Sequence, residues 1–256
     1  MIAKGDNMSK NCGMVLAAGK GTRMKSDLPK VLHEVNGVPM VFLSLDRLQS
    51  ANVQNVVVVI GYKGELVKDA LDKKGYHAVY AKQDEQLGTG HAVKCGMDAV
   101  PEDCTTVVIT YGDNPFIPTD IFNQLISKRI ETGAIGVISA VYFDDPMGPA
   151  FGRVKRDESG KICAIVEQKN ASENELKIQE CNGGPIAYDA HWLRRALPRI
   201  KRNEVSGEYY LTDLVELAYA EGELVESVRI EDIGLAMGVN TLDHLAEAQK
   251  VAKRTK

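Results

Sequence analysis

Two uninterrupted β-branched runs decide most about how this chain can fold. Val56-Val57-Val58-Val59-Ile60, entered from Asn55, shows no alternation of polar and apolar residues, and Thr105-Thr106-Val107-Val108-Ile109-Thr110-Tyr111 follows a similar pattern. A strand that is apolar on both faces must be covered on both faces, as in the centre of a parallel sheet flanked by helices. Each run leads through a turn into a helical stretch. Gly61-Tyr62 precedes a helix to about Leu71, and Gly112-Asp113-Asn114-Pro115 precedes one over Thr119–Glu131. Strand, helix and strand alternate through the first half, which predicts right-handed βαβ units.

The remaining elements follow from period and punctuation. Cys12–Ala18 reads as the first buried strand. Val31–Val35 is expected to be a short strand closed by Asn36-Gly37, and Pro39 to open a helix to about Ser50. His77–Ala81 reads as a strand and His91–Ala99 as a helix stopped by Pro101. The second half predicts strands at Ile135–Phe143, Phe151–Lys155, Ile162–Gln168 and Glu180–Ala187, the middle two joined across Asp157-Glu158-Ser159-Gly160. Ala190–Leu197 and Tyr210–Ala220 read as helices, Val225–Ile230 and Ala236–Val239 as short strands. Thr241 caps a last helix to about Lys253. The expected class is α/β: a Rossmann-like, mainly parallel mixed sheet flanked by helices, with an inserted subregion from about residue 144.

Composition narrows the function. With 256 residues the chain can bury a substantial core, and its net charge of −4 argues against a broad nucleic-acid surface, so an anion would be bound locally. No run approaches the roughly 18 apolar residues of a membrane span. The five cysteines are scattered without a C-x-x-C pair, which fits free, mostly buried thiols in a reducing cytoplasm. Residues 1–11 read as a polar extension that frays.

Three loops leave strands at their carboxyl ends, where open parallel sheets collect ligands: Gly19–Lys30, Lys82–Gly90 and Gly112–Pro115. The first, Leu16-Ala17-Ala18-Gly19-Lys20-Gly21-Thr22-Arg23-Met24 with Leu28-Pro29-Lys30 after it, matches neither G-x-G-x-x-G nor G-x-x-x-x-G-K-[ST]. By residue type alone it fits either a tight turn or an anion cradle. Asp113 also fits a turn former, Asn240 equally a helix start beside Thr241, Tyr210 plain packing and Glu167 a solvated strand residue.

The loop resembles the signature of sugar-1-phosphate nucleotidyltransferases. The closest likeness is to the N-acetylglucosamine-1-phosphate uridylyltransferase (pyrophosphorylase) domain of the bifunctional UDP-N-acetylglucosamine enzyme. The likeness continues through Gln83, Gln86-Leu87-Gly88-Thr89-Gly90-His91-Ala92, Tyr111-Gly112-Asp113, Phe151-Gly152-Arg153, Val166-Glu167-Gln168-Lys169, Asn182, Gly207–Asp213 and Gly238-Val239-Asn240, in order over about residues 12–253. It implies the nucleotide-diphospho-sugar transferase fold over 12–256. A nucleotide-binding half would span about 12–143, a sugar-binding half about 144–240, and a terminal helix about 241–253.

The resemblance also implies roles. Arg23 and Lys30 would be the catalytic cations. Leu16, Ala17, Ala18, Gly19, Gly21, Thr22, Gln83, Gly88, Thr89, Tyr111 and Gly112 would bind the nucleotide. Thr89, Gly152, Glu167, Asn182, Tyr210 and Thr212 would meet the sugar, and Asp113 and Asn240 would hold Mg²⁺. UTP and a sugar 1-phosphate would be the small-molecule substrates, in the cytoplasm, with neither nucleic acid nor membrane as partner. The sugar is less well specified than the nucleotide. The chain has Asn182-Gly183-Gly184-Pro185 where the family has Asn-Thr-Gly, and Gly148-Pro149-Ala150-Phe151-Gly152-Arg153 where it has a shorter segment. N-acetylgalactosamine or a plain hexose stays open beside N-acetylglucosamine, as do another nucleotide and a non-catalytic nucleotide-sugar sensor. The presence of Asp113, Asn240, Arg23 and Lys30 counts against the sensor. No hexapeptide repeat of the family's β-helix occurs, so neither acetyl transfer nor a trimer is expected, and the oligomeric state is open.

Overall fold

β1 (Lys10–Ala17) opens the computed structural model of the chain, which describes residues 10–147 and 150–254. The strand starts inside the expected extension: Asn11 is fully buried and its amide donates to the Asn52 carbonyl at 2.9 Å. Residues 1–9 of that extension, and Gly148-Pro149 of the divergent segment, lie outside the described residues.

Side chains along the strand alternate between two cores. Cys12, Met14 and Leu16 pack into one hydrophobic cluster and Val15 and Ala17 into the other. β4 (Asn55–Ile60) does the same, with Val57 and Val59 on the first side and Val56, Val58 and Ile60 on the second. That is the physical reason for its unbroken β-branched sequence: both faces are covered, so neither position parity can be polar.

After β1 the chain makes 3₁₀ turns at Thr22–Met24 and Lys30–Leu32, then a hairpin of β2 (Glu34–Val35) and β3 (Val38–Pro39). The strand expected over Val31–Val35 is therefore a turn that buries Val31 and Leu32, followed by one short hairpin arm. Asn36 (φ 51) and Gly37 (φ 79) both take the left-handed conformation that a two-residue hairpin loop demands. α1 (Met40–Gln49), α2 (Gly64–Lys74), β5 (Val79–Lys82), α3 (Thr89–Met97), β6 (Cys104–Tyr111) and α4 (Thr119–Thr132) complete the first half close to expectation.

β7 (Gly136–Tyr142), the hairpin β8 (Arg153–Arg156) and β9 (Ile162–Val166), and β10 (Glu180–Asp189) follow. α5 (Ala190–Ala196), α6 (Asp213–Ala220), β11 (Val225–Arg229), α7 (Ile233–Ala236) and α8 (Leu242–Arg254) end the chain. Among the described residues one nine-stranded sheet runs in the order β11-β7-β10-β6-β1-β4-β5, with β8 and β9 attached beside β10. Pairs β6-β1, β1-β4, β4-β5 and β11-β7 are parallel; β10 runs antiparallel to both its neighbours. No helix among the described residues is long and apolar enough to cross a membrane. Cys12, Cys104 and Cys181 are buried free thiols, and Cys95 and Cys163 are partly buried ones.

Two further expectations are corrected. Ala236–Val239 is not a strand: Asp232 caps the short helix α7 by accepting from Gly234 N at 2.9 Å, and an extended link follows. The helix expected from Tyr210 begins at Asp213, because the preceding segment is drawn out against α3. Tyr209 N donates to the Leu87 carbonyl and Gly90 N to the Tyr209 carbonyl, each at 2.8 Å. Thr241 does cap the last helix, its hydroxyl accepting from His244 N at 3.1 Å. α8 docks on the β2 hairpin through Gln249, which accepts from Asn36 N and donates to the Glu34 carbonyl. Val35, Met40, Phe116, Val239 and Ala248 form a small core beneath it. This docking brings residue 240 to the carboxyl end of β6.

Candidate active site

The chain steps from β1 outward to β4 and β5, then returns to place β6 on the other side of β1. That reversal opens a crevice beyond the carboxyl ends of β1 and β6. A cleft of about 1050 Å³ lies there. Of the residues picked out from the sequence, all but Gly112 line it: the Leu16–Thr22 stretch, Arg23, Lys30, Gln83, Gly88, Thr89, Tyr111, Asp113, Gly152, Glu167, Asn182, Tyr210, Thr212 and Asn240. Gly112 instead braces the floor, its N–H donating to the Leu16 carbonyl at 2.9 Å.

At one end of the cleft, cations meet two oxygen donors. Lys30 Nζ donates to Asp113 Oδ2 and, at 2.9 Å, to Asn240 Oδ1, and Arg23 Nη2 reaches the same Asn240 oxygen at 3.2 Å. The Lys30 and Asp113 side chains are only 15% and 13% exposed, so their attraction is weakly screened. Local backbone fixes this geometry. Gly21 (φ 60) lies so close to Lys30 that a Cβ on it would stand 2.6 Å from the Lys30 Cβ. Val239 N donates to the Asp113 carbonyl at 2.9 Å, tying the approach to Asn240 onto the end of β6. An anionic carboxylate and an amide oxygen thus converge on one positive charge. Two hard oxygens at the wall of this cleft are a donor set that suits Mg²⁺, which keeps most of its waters.

Gln83, Gln86, Gly88 and Thr89 form another part of the wall. Gly88 sits at φ 101, and a Cβ there would meet the Tyr209 carbonyl oxygen at 2.6 Å. Gly88→Ala is therefore expected to lower kcat/KM about tenfold or more and to reduce the thermal midpoint measurably. Wild-type values for both in steady-state and melting assays would show that the turn has room for a side chain.

Elsewhere along the cleft, Thr212 Oγ donates to Glu167 Oε1 at 2.9 Å, and Thr89 Oγ accepts from Leu211 N at 3.0 Å. Burial raises the Glu167 carboxyl above its ordinary range, partly offset by the Thr212 bond. Burial, with Glu216 and Glu167 nearby, pushes Asp213 up to about 6. Burial also raises the Tyr111 hydroxyl. Asn182 N donates to the Gly152 carbonyl at 2.8 Å, and its side-chain oxygen accepts from Gly184 N at 3.2 Å. The Gly183-Gly184 departure thus sits in a register shift of β10 between Asn182 and Ile186, a bulge beside the cleft. Lining residues that the sequence reading did not single out include Lys20, Asn114, Lys169, Glu208 and His244. Lys20, Lys169 and Glu208 lay inside the quoted motifs. His244 had no local signal, since only the docking of α8 brings its first turn to the cleft.

The family model of the MobA-like NTP transferase domain matches residues 13–208. The chain belongs to the MobA-like NTP transferase family. This member is 43% identical to the bifunctional protein GlmU of Heliobacterium modesticaldum over 95% of its own length and 52% of that protein. It is 42% identical to the GlmU of Carboxydothermus hydrogenoformans over 95% and 53%. The chain thus spans about half the length of the curated relatives it matches. A UDP-glucose pyrophosphorylase solved with UDP-glucose superposes with a TM-score of 0.78 at 16% identity, covering 97% of this chain and 100% of that one. A nucleotidyl transferase of Methanothermobacter thermautotroptrophicus gives 0.65 at 16%, covering 96% and 99%. The fold is shared with both. This MobA-like NTP transferase is an enzyme of the nucleotidyltransferase class.

Proposed function

We propose that the chain joins UTP and N-acetylglucosamine 1-phosphate to give UDP-N-acetylglucosamine and pyrophosphate, with Mg²⁺ as cofactor, in the cytoplasm. The observation that carries the reading is the convergence of Arg23, Lys30, Asp113 and Asn240 at one end of a cleft that Glu167, Asn182 and Thr212 also line. A cationic end suits the triphosphate. The carboxylate, amide and hydroxyl groups suit sugar hydroxyls, which donate and accept. The resemblance to the uridylyltransferase domain, the kinship with GlmU proteins and a neighbour that binds UDP-glucose support the choice of nucleotide sugar.

In this reaction a phosphate oxygen of the sugar 1-phosphate attacks the α-phosphorus of UTP in line. The new O–P bond forms as the bond to the β-phosphate bridging oxygen breaks, and pyrophosphate leaves. Both partners are anions, so the barrier is one of position and charge. Arg23 neutralises the departing pyrophosphate and Lys30 the phosphate at the reacting centre, as a compact charge. Asp113 and Asn240 would hold Mg²⁺, which when bound neutralises phosphate oxygens. Gln83 and the backbone at Gly88 read the base, and Thr89, Gly152, Glu167, Asn182, Tyr210 and Thr212 hold the sugar.

The test is pyrophosphate release across UTP, CTP, GTP, ATP and dTTP, each with N-acetylglucosamine, N-acetylgalactosamine and glucose 1-phosphates at saturating Mg²⁺. UTP with N-acetylglucosamine 1-phosphate is expected to be fastest. Another winning pair replaces the substrate assignment, and no release with any pair overturns the reading. Gln83→Ala is expected to reduce the UTP preference by about tenfold while slowing the chemical step less. Equal loss with every nucleotide would make Gln83 a structural residue.

A further inference from the structure

The amide of Gln83 can point only one way, and the Gly88 carbonyl and His91 together hold it there. Gln83 is 3% exposed and lines the cleft just past β5. Its Nε2 lies 3.1 Å from the Gly88 carbonyl oxygen and 3.0 Å from His91 Nδ1 in α3. A carbonyl oxygen can only accept, so the amide nitrogen, not its oxygen, must face Gly88. The second amide hydrogen then falls to His91 Nδ1, which is the bare nitrogen of a neutral imidazole. The ring proton sits on Nε2, which donates to Cys95 Sγ at 3.7 Å. Both Gln83 N–H groups are used inside the protein. The amide group left for a ligand is the acceptor Oε1.

We propose that His91 is the positioning residue that sets base selectivity at this site, by fixing Gln83 as a hydrogen-bond acceptor toward the nucleobase. The inference rests on the uridine nucleotide reading above and deepens it. Uracil offers a ring N3–H that an acceptor captures. Cytosine offers a bare N3 at the same edge, so lone pair would face lone pair. Were His91 unable to accept, the Gly88 carbonyl alone would hold the amide and its second N–H would lose this partner, so Gln83 would be held less firmly as an acceptor. Thymine shares uracil's edge, so this device separates uridine from cytidine nucleotides but not from thymidine nucleotides.

The variants His91→Leu and His91→Asn separate this role from packing. Leucine fills the space without an acceptor, whereas asparagine can present its Oδ1 near the position of Nδ1. In His91→Leu the ratio of kcat/KM for UTP over CTP is expected to fall about tenfold or more, the loss lying in KM for UTP more than in kcat. His91→Asn is expected to retain most of the ratio. Nitrogen-15 NMR of the wild-type protein is expected to show Nδ1 of His91 unprotonated and Nε2 protonated. An unchanged ratio in His91→Leu, an equal loss in His91→Asn, or a proton on Nδ1 overturns the inference while leaving the uridine reading intact. A wild type without preference for UTP overturns that reading and this inference with it.

Discussion

Asp113→Ala is expected to cut turnover by about 10³-fold or more at ordinary Mg²⁺ while the protein still folds. The carboxylate stands just past the end of β6, 13% exposed, against Lys30 and within a shared donor set with Asn240. Removing it deletes the anionic half of the proposed metal site and leaves Lys30 held by the Asn240 amide oxygen alone. The fold should survive because Asp113 belongs to none of the hydrophobic clusters. Its carbonyl, which accepts from Val239 N, is also untouched by the substitution. The check is steady-state pyrophosphate release across a Mg²⁺ titration beside a thermal melt. A cooperative melt with lost turnover, partly restored at high Mg²⁺, is the expected outcome. Near-wild-type turnover would remove Asp113 from the site.

Lys30→Ala is expected to lower kcat/KM by about 10²–10³-fold, the range seen when one electrostatic contact to a developing charge is removed. Lys30→Arg should recover little. The guanidinium is wider than an ammonium, and Gly21 packs tightly against the Lys30 stem. Because Lys30 and Asp113 touch, their effects should not add: Lys30→Ala in an Asp113→Ala background is expected to cost far less than in wild type. Fully additive losses in that double-mutant cycle would mean the two residues serve separate steps. A Lys30→Ala enzyme with unchanged kcat/KM would exclude the ammonium from the reaction.

Much of the architecture was legible because its cause is local. β4 and β6 announce themselves as both-face-covered strands, and Asn36-Gly37 announces its hairpin through the left-handed angles it must take. Two of the misreadings fall where packing or a distant partner overrode local preference, and a third where a local cap decided. Val31 and Leu32 are apolar enough for a strand but are turned inward beneath the glycine loop. Tyr210 and Leu211 suit a helix, yet hydrogen bonds of Tyr209 and Leu211 to the Leu87–Gly90 segment delay the helix to Asp213. The apolar residues at 233–239 fit strand or helix equally, and capping by Asp232 decides for a short helix.

The sequence by itself determined the α/β class, the order of most elements, and a glycine loop bearing Arg23 and Lys30 just after the first strand. These depend on the period of apolar residues and on turn chemistry within a few positions. Only the tertiary structure decided that Lys30 meets Asp113 and Asn240, partners 83 and 210 positions away. It also decided that Gly112 braces the cleft floor without lining it. Those facts follow from which strands pair and where α8 docks. Long-range pairing of that kind is a property of the packed molecule and leaves no mark within any single window of sequence.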